Sequence, residues 1–298
     1  MTNSENLRKR IETKPIVKVG GAYDALSAKL VETSGFDAIW AGSFAISATH
    51  ALPDASILTM TDFLRVAENM VDSCNIPVIA DCDTGFGGPA NVSHAVKKYE
   101  KAGVAGMSIE DKIFPKQNSL LKNSIQKLLP EKDFVAKIIA AKESKKDPNF
   151  MIIARTEALI AEKGMDEALR RAKAYEKAGA DAILIHSKKN TPNEIFEFSE
   201  KWNEGIPLVV VPTSYPSVKI SELISRKIKM VIFANQSLRV AHYVISKALE
   251  EIIQNESLDE VKINMSSMED IFNLQEMYKI NDQEKMIEND LKKMGYVN

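Results

Sequence analysis

Four short apolar runs in this chain each end in residues that could do chemistry. Ile79-Ala80 leads into Asp81-Cys82-Asp83-Thr84-Gly85, and Gly106-Met107-Ser108-Ile109 into Glu110-Asp111-Lys112. Met151-Ile152-Ile153-Ala154 leads into Arg155-Thr156-Glu157, and Ala182-Ile183-Leu184-Ile185 into His186-Ser187-Lys188-Lys189. In a parallel sheet, such residues gather at one end of the strands. Asp81 and Asp83 share side-chain parity, so both can face the same side, and Glu110 ends the next run. Three carboxylates converging there repel strongly in a low-dielectric site, which a divalent cation resolves. All-oxygen ligation suits Mg2+ or Mn2+ rather than zinc. The bland alternatives are N-caps and surface ion pairs, and Asp83-Thr84-Gly85 also reads as a plain turn.

Arg155 and His186 end strands that a simple barrel order places opposite the carboxylates. Arginine gives bidentate hydrogen bonds to carboxylate or phosphate, and histidine donates to a phosphoryl oxygen or transfers a proton. A satisfied core histidine is the alternative for His186, although the polar run Ser187-Lys188-Lys189 argues against deep burial. His94 and His242 sit in helical stretches and read as surface or packing residues; His50 lies in a loop without an obvious partner. Trp40-Ala41-Gly42-Ser43-Phe44 leaves its apolar run through small residues, whose successive N–H groups could hold an anion. Asp54 follows in the same loop and is unremarkable alone. Cys82 has the parity opposite to its neighbouring aspartates and should face a helix layer, while Cys74 ends a helix. Neither is expected to be a nucleophile, and two cysteines make no disulfide framework.

The elements that must position these residues recur along the chain. Ser34-Gly35-Phe36-Asp37-Ala38-Ile39-Trp40, Ala102-Gly103-Val104-Ala105-Gly106-Met107-Ser108 and Ala178-Gly179-Ala180-Asp181-Ala182-Ile183-Leu184 are copies of one motif. Each reads as a helix end, a glycine in the left-handed cap position and a buried strand. Strands are expected to begin near Ile16, Ala38, Pro77, Gly106, Met151, Ala182, Leu208 and Met230. Helical patterns such as Met165 to Lys177 separate them. Eight alternating units predict a (β/α)8 barrel. A doubly wound open sheet is the alternative, but no Gly-x-Gly-x-x-Gly fingerprint follows the first strand.

The chain reads as one domain over 1–298, with the barrel at about 15–235 and C-terminal helices over about 236–298, at Gln236–Gln254 and Ser267–Met294. That tail packs on the barrel, reaches a neighbouring subunit, or forms a loose helix pair. Two long loops, Ser43–Thr59 and Lys112–Pro130, would lie on the C-terminal face, where barrel active sites are built and lids occur. The formal net charge of -2 argues against a nucleic-acid binder, which usually carries a basic excess. No apolar run reaches the roughly 18 residues of a membrane span, and residues 1–14 are polar with no signal-like apolar region. A cytoplasmic protein is the expectation.

These residues, in this order, resemble the phosphoenolpyruvate mutase/isocitrate lyase superfamily over about Gly21 to Met277. The likeness is carried by Asp-x-Asp-Thr-Gly-[aromatic]-Gly at Asp81–Gly87, Glu-Asp-Lys at Glu110 and Ala-Arg-x-Glu-Ala at Ala154–Ala158. It continues through His186-Ser187-Lys188-Lys189, Val211-Pro212-Thr213 and Phe233-Ala234-Asn235. The lyase branches carry a lid segment with a catalytic cysteine, which this chain lacks. It has instead Glu110-Asp111-Lys112, five residues, then Asn118-Ser119, the pattern of the mutase branch; related phosphonopyruvate hydrolases usually have threonine at the Asn118 position.

The resemblance implies interconversion of phosphoenolpyruvate and phosphonopyruvate, a carbon–phosphorus bond-forming step that opens phosphonate synthesis. Hydrolysis of phosphonopyruvate is the alternative, followed by a 2-methylisocitrate-type lyase and a non-catalytic barrel. It implies Mg2+ held directly by Asp81, and largely through waters by Asp83 and Glu110, with Mn2+ as a substitute. Backbone amides of Ser43 and Phe44 would contact the pyruvyl end. Arg155, His186 and Asn118 would hold the phosphoryl group. Lys116, Asn118, Ser119 and Leu120 would belong to a gating loop, and Asp54 matches an essential aspartate. It also implies homo-oligomers, dimers or dimers of dimers, that exchange a C-terminal helix. Two departures stand out. Gly42 replaces a serine found in mutases, and His50-Ala51-Leu52-Pro53-Asp54 is closer to the lyase branch.

Overall fold

A computed structural model describes residues 1–203 and 205–296. The first half of the chain contains α1 (Asn3–Thr13), β1 (Val17–Ala22), α2 (Ala25–Thr33), β2 (Ala38–Ala41), α3 (Ser43–Thr49), α4 (Met60–Ser73), β3 (Val78–Asp81), α5 (Pro89–Lys101), β4 (Gly106–Glu110) and α6 (Glu131–Ser144). The second half contains β5 (Met151–Thr156), α7 (Met165–Ala178), β6 (Ala182–Ile185), α8 (Asn193–Lys201), β7 (Leu208–Val210), α9 (Ile220–Ser225), β8 (Met230–Phe233), α10 (Gln236–Asn255), α11 (Met268–Leu274) and α12 (Met277–Lys293). The strands pair in parallel in sequence order, and β8 closes on β1. The expected (β/α)8 barrel is present, each strand starting within one residue of its expected position.

Side-chain parity decides which residues meet. Val17, Val19, Ala38, Trp40, Ile79, Met151, Ile153, Ala182, Leu184, Val209, Met230 and Ile232 fill the barrel interior. The alternate residues, such as Ile39, Ala80, Cys82, Met107, Ile152 and Ile183, pack in the layer between sheet and helices. Cys82 therefore faces the helices, as parity predicts; both cysteines are free and buried. Counting on by two from Ile79, Ser108, Ile153 and Leu184 brings Asp81, Glu110, Arg155 and His186 to the inner rim at the C-terminal end.

The three motif glycines take the expected left-handed conformation, with φ of 83° at Gly35, 78° at Gly103 and 102° at Gly179. Two elements went unread in the sequence. The Ser43–Thr59 segment opens with α3 rather than running as a loop. The polar N-terminus forms α1, capped by a reciprocal Thr2–Glu5 box, and it inserts Leu7 and Ile11, one helical turn apart, into the barrel's interior cluster. Composition hides this helix because only these two large apolar residues are needed to plug the barrel.

The chain divides into two compact units, Met1–Arg239 and Val240–Asn298, where the sequence reads as one domain with a helical extension. Among the described residues, α10, α11 and α12 bury none of their residues. No helix of the described residues is long and apolar enough to cross a membrane.

Candidate active site

At the C-terminal rim, a cavity of about 170 Å³ is lined by Ser43, Phe44, Asp54, Asp81, Lys116, Asn118, Ser119, Leu120, Arg155 and His186. Of the residues singled out in the sequence, Asp83 and Glu110 alone lie behind this wall. Trp40, Gly42, Ala45, Val211, Thr213, Ala234 and Asn235 complete it.

The acidic side is built by β3 and the turn after it. Asp83 takes a left-handed backbone conformation, φ 49°, which folds its carboxylate inward. Phe86 anchors the outside of this turn, its ring nearly parallel to that of Tyr99 with centroids 6.5 Å apart, and its centroid 6.0 Å from that of Phe63. Lys137 donates to the Thr84 carbonyl at 2.7 Å and holds the turn from α6. Asp81 accepts from the Ser43 hydroxyl at 3.0 Å. Ser43 and Phe44 are the first residues of α3, behind the N-cap Gly42, so their amides have no intrahelical acceptor and are free for an anion.

Lys116, from the long segment after β4, enters this group. Its Nζ lies 2.6 Å from Asp83 Oδ1 and 2.8 Å from Asp54 Oδ1, and donates to Ser43 Oγ at 3.1 Å. Burial would lower its pKa, but Asp83, Glu110, Asp54 and Asp81 outweigh that and raise it well above the ordinary lysine value. Burial raises Asp81 and pushes Asp83 up to about 6, against the pull of Lys116.

The expected metal triad is therefore not a ready-made group: among the described residues, no three His, Cys, Asp or Glu side chains are arranged to hold a metal. The donor chemistry nonetheless fits a hard cation. Glu110 Oε1, Asp83 Oδ1 and Asp54 Oδ1 are buried with a lysine as ion-pair neighbour, at 3.8 Å, 2.6 Å and 2.8 Å, but no further hydrogen bond. Lys116 is shared between two of these carboxylates, which leaves oxygen lone pairs that a cation could take up, and an all-oxygen set suits Mg2+ or Mn2+.

The basic side does not stand opposite the acids. β4 and β5 are neighbours, and Glu110 is the register partner of Arg155. Arg155 Nε lies 3.3 Å from Glu110 and 2.5 Å from Glu157, so positive and negative groups interleave around the rim. The simple barrel order failed because it treated adjacent strands as opposed sectors. His186 Nδ1 lies 2.9 Å from Arg155 Nη2 and 3.1 Å from Glu157 Oε1, which leaves Nε2 as the ring nitrogen available to a ligand. Burial and Arg155 lower the pKa of His186.

The residues expected to form a lid, Lys116, Asn118, Ser119 and Leu120, all line the cavity. Asn118 donates to Asp54 at 2.7 Å, while Leu120 and Phe44 are partly exposed at its mouth. Four participants were not assigned roles from sequence. Glu157 is fully buried, and Lys112 lies 3.2 Å from it. Both extend the inward count of two, from Arg155 and from Glu110, one step past the strand end; that step would have found them. Thr213 Oγ1 and Asn235 Oδ1 are buried without partners at the cavity wall, polar atoms positioned to meet a ligand. His94 and His242 are exposed on α5 and α10, as expected, and His50 caps the end of α3 away from the cavity.

Comparison with known proteins fits this geometry. The model of the family described as phosphoenolpyruvate phosphomutase matches residues 7–253. The chain belongs to this family. Phosphonopyruvate hydrolase of Variovorax sp. (strain Pal2) is 41% identical over 276 residues, covering 92% of this chain and 95% of the relative. The crystal structure of phosphoenolpyruvate phosphomutase from Streptomyces platensis subsp. rosaceus superposes with a TM-score of 0.93 at 43% identity, covering 95% of this chain and 98% of that one. A phosphonopyruvate hydrolase complex with oxalate and Mg2+ superposes with a TM-score of 0.90 at 39% identity, covering 96% of this chain and 99% of that one. Family members thus include both mutases and hydrolases built on this barrel.

Proposed function

We propose that this chain is a phosphoenolpyruvate mutase, interconverting phosphoenolpyruvate and phosphonopyruvate by phosphoryl transfer inside the closed cavity. The observation that carries this reading is Asn118, whose amide reaches across the cavity mouth to Asp54 at 2.7 Å. A lid held in this way supports retention of the phosphoryl group and exclusion of water, without which transfer becomes hydrolysis.

In the forward direction, the P–O bond to the enol oxygen breaks and its electron pair remains on oxygen. C3 of the resulting enolate then forms the P–C bond as the C2 carbonyl is restored, so no proton is gained or lost. The loose phosphoryl group needs positioning and charge compensation rather than covalent help. Arg155 offers its guanidinium, His186 its Nε2 position and Asn118 its amide. The first amides of α3, at Ser43 and Phe44, would receive the pyruvyl carboxylate. Asp54, fixed by Lys116 and Asn118, faces the reacting group. Asp81, Asp83 and Glu110 would hold Mg2+, which, when bound, stabilises negative charge on the enolate oxygen.

Phosphonopyruvate hydrolysis is the second reading, favoured by the 41% identity to the Variovorax hydrolase. Phosphorus NMR of the protein with Mg2+ and phosphonopyruvate tests both. The mutase reading expects a phosphoenolpyruvate signal; inorganic phosphate as the main product supports hydrolysis and overturns it.

The same reading includes a homo-oligomer with exchanged C-terminal helices. Exposed apolar residues on α10, among them Val240, Tyr243, Ile245 and Leu249, support it, since such surface is costly to leave in water. Light scattering that returns a monomer mass would remove this element.

A further inference from the structure

We infer that Ser119 is a latch and that Glu157 is a positioning residue which receives it, tying lid closure to the orientation of Arg155 and His186. The second half of this inference rests on the reading that Arg155 and His186 hold a phosphoryl group; the latch itself does not.

The argument starts from the capacity of one hydroxyl. A serine side chain has one hydrogen to donate and two lone pairs with which to accept. Ser119 Oγ donates to Glu157 Oε2 at 2.6 Å, accepts from Lys112 Nζ at 2.6 Å and accepts from Arg155 Nη2 at 3.0 Å. Its capacity is filled by the protein. Although Ser119 lines the cavity, its hydroxyl is turned into the wall rather than offered to a ligand.

What lies behind that wall is a compact charge cluster. Burial alone would raise the pKa of Glu157, but Arg155, Lys112 and His186 hold it well below the usual carboxylate range. Its Oε1 meets Arg155 Nε at 2.5 Å and His186 Nδ1 at 3.1 Å, and its Oε2 meets Lys112 at 3.2 Å and Ser119. Glu157 does not line the cavity, so it acts through the two side chains that do. A buried carboxylate held by Arg155, Lys112 and Ser119 fixes the directions of these donors, and Arg155 Nη2 in turn donates to His186 Nδ1 at 2.9 Å, which turns Nε2 to the cavity; each donor withdrawn leaves an oxygen of Glu157 short of a partner.

The lid is anchored so that its tip carries the closing contact. Its two ends are clamped by Asp111 and α7. The Leu129 amide donates to the Asp111 carbonyl at 2.8 Å, and Arg171 bridges the Leu129 carbonyl at 3.0 Å and the Asp111 carboxylate at 3.1 Å. Tyr175 donates to the same carboxylate at 2.7 Å. With the ends held, lifting the tip must withdraw Ser119 from Glu157 and Arg155.

The test uses the full chain, with Ser119→Ala, Glu157→Gln and Glu157→Asp, each first confirmed folded by circular dichroism. Lid closure is read by tryptic cleavage after the exposed Lys122, with and without oxalate and Mg2+; turnover of phosphonopyruvate is read separately. Ser119→Ala should speed cleavage and lower kcat, each by about 10–100-fold, the cost of one buried group left unsatisfied, with KM little changed. Glu157→Gln should do the same, and Glu157→Asp should restore part of both. Unchanged cleavage with a raised KM in Ser119→Ala would mean that Ser119 binds substrate, and overturns the latch. Unchanged cleavage and turnover in both Ser119→Ala and Glu157→Gln overturns it as well. If the unmutated protein turns over no phosphonopyruvate, the functional reading fails, and the cleavage measurement still decides the latch.

Discussion

At the N-terminal end of the barrel, Asp37 and Asp181 are each fully provided for. Asp37 accepts the Lys18 amide at 2.9 Å and pairs with Lys14 and Arg10. Asp181 accepts the Ile152 amide at 2.8 Å and pairs with Arg8 at 2.6 Å and Lys145 at 3.3 Å. At the C-terminal end, Asp54, Asp81, Asp83 and Glu110 share too few cations, and oxygens of Asp54, Asp83 and Glu110 lack hydrogen bonds. Both ends use carboxylates beside the strands of one barrel, before β2 and β6 at one end and at or just past the ends of β3 and β4 at the other. One end uses them to hold α1 against the sheet; the other gathers four of them around Lys116 and Arg155, more carboxylates than cations, an excess suited to receiving a cation. In this barrel, stability and chemistry are separated by the length of a strand.

That separation can be broken by substitution, and the largest effect is expected at the chemical end. Asp81→Asn removes one carboxylate and keeps its shape. Turnover should fall by about 10²–10³-fold, the scale for losing one electrostatic contact to the reacting group. The melting temperature should not fall, because burial already disfavours the charged form of Asp81. A variant that loses activity only by unfolding would contradict the comparison.

The reverse pattern is expected at the other end. Leu7 is fully buried in the barrel interior, and Leu7→Ala should cost about 2–5 kcal/mol in denaturant unfolding, with kcat unchanged below the transition. Asp181→Asn is smaller. Arg8 and Lys145 are partly exposed, at 28% and 13%, so screening limits the loss to about 1–3 kcal/mol. A change in kcat for either variant would show that the two ends are coupled.

The sequence made the barrel and most of its rim legible, because period-two parity and the recurring glycine motif are local signals. Asp81, Glu110, Arg155 and His186 follow from that parity. What escaped it depends on contacts distant in sequence. Lys116 entering the acidic group and Asn118 reaching Asp54 bridge 33 and 64 residues, taking Lys116 to Asp83 as 116 minus 83. The pairing of Arg155 with Glu110 depends on strand adjacency, which the pattern contained but the notion of opposite sectors obscured. α1 escaped because two apolar residues in a polar segment carry little signal until the barrel end that they fill is known.

The smallest predicted effect lies at one position on the chemical end. The family resemblance places serine where Gly42 stands. A Cβ built at Gly42 would sit 3.1 Å from Trp40 Cδ1 and 3.2 Å from Trp40 Nε1, tighter than ordinary contact. Trp40 is 2% exposed, part of both the barrel interior and the cavity wall, so it has little room to give. Gly42 is also the N-cap of α3, and serine there would gain a few tenths of a kcal/mol, roughly, as a better cap. Crowding of a packed side chain costs about 1–3 kcal/mol and outweighs that gain. Gly42→Ser should therefore destabilise the protein by about 1 kcal/mol. Trp40→Val, which removes both Cδ1 and Nε1, should relieve it, giving a coupling of about 0.5–3 kcal/mol in a double-mutant cycle. Additive behaviour of the two substitutions would show that Gly42 and Trp40 are not matched to each other, and that the departure from serine has no packing cause.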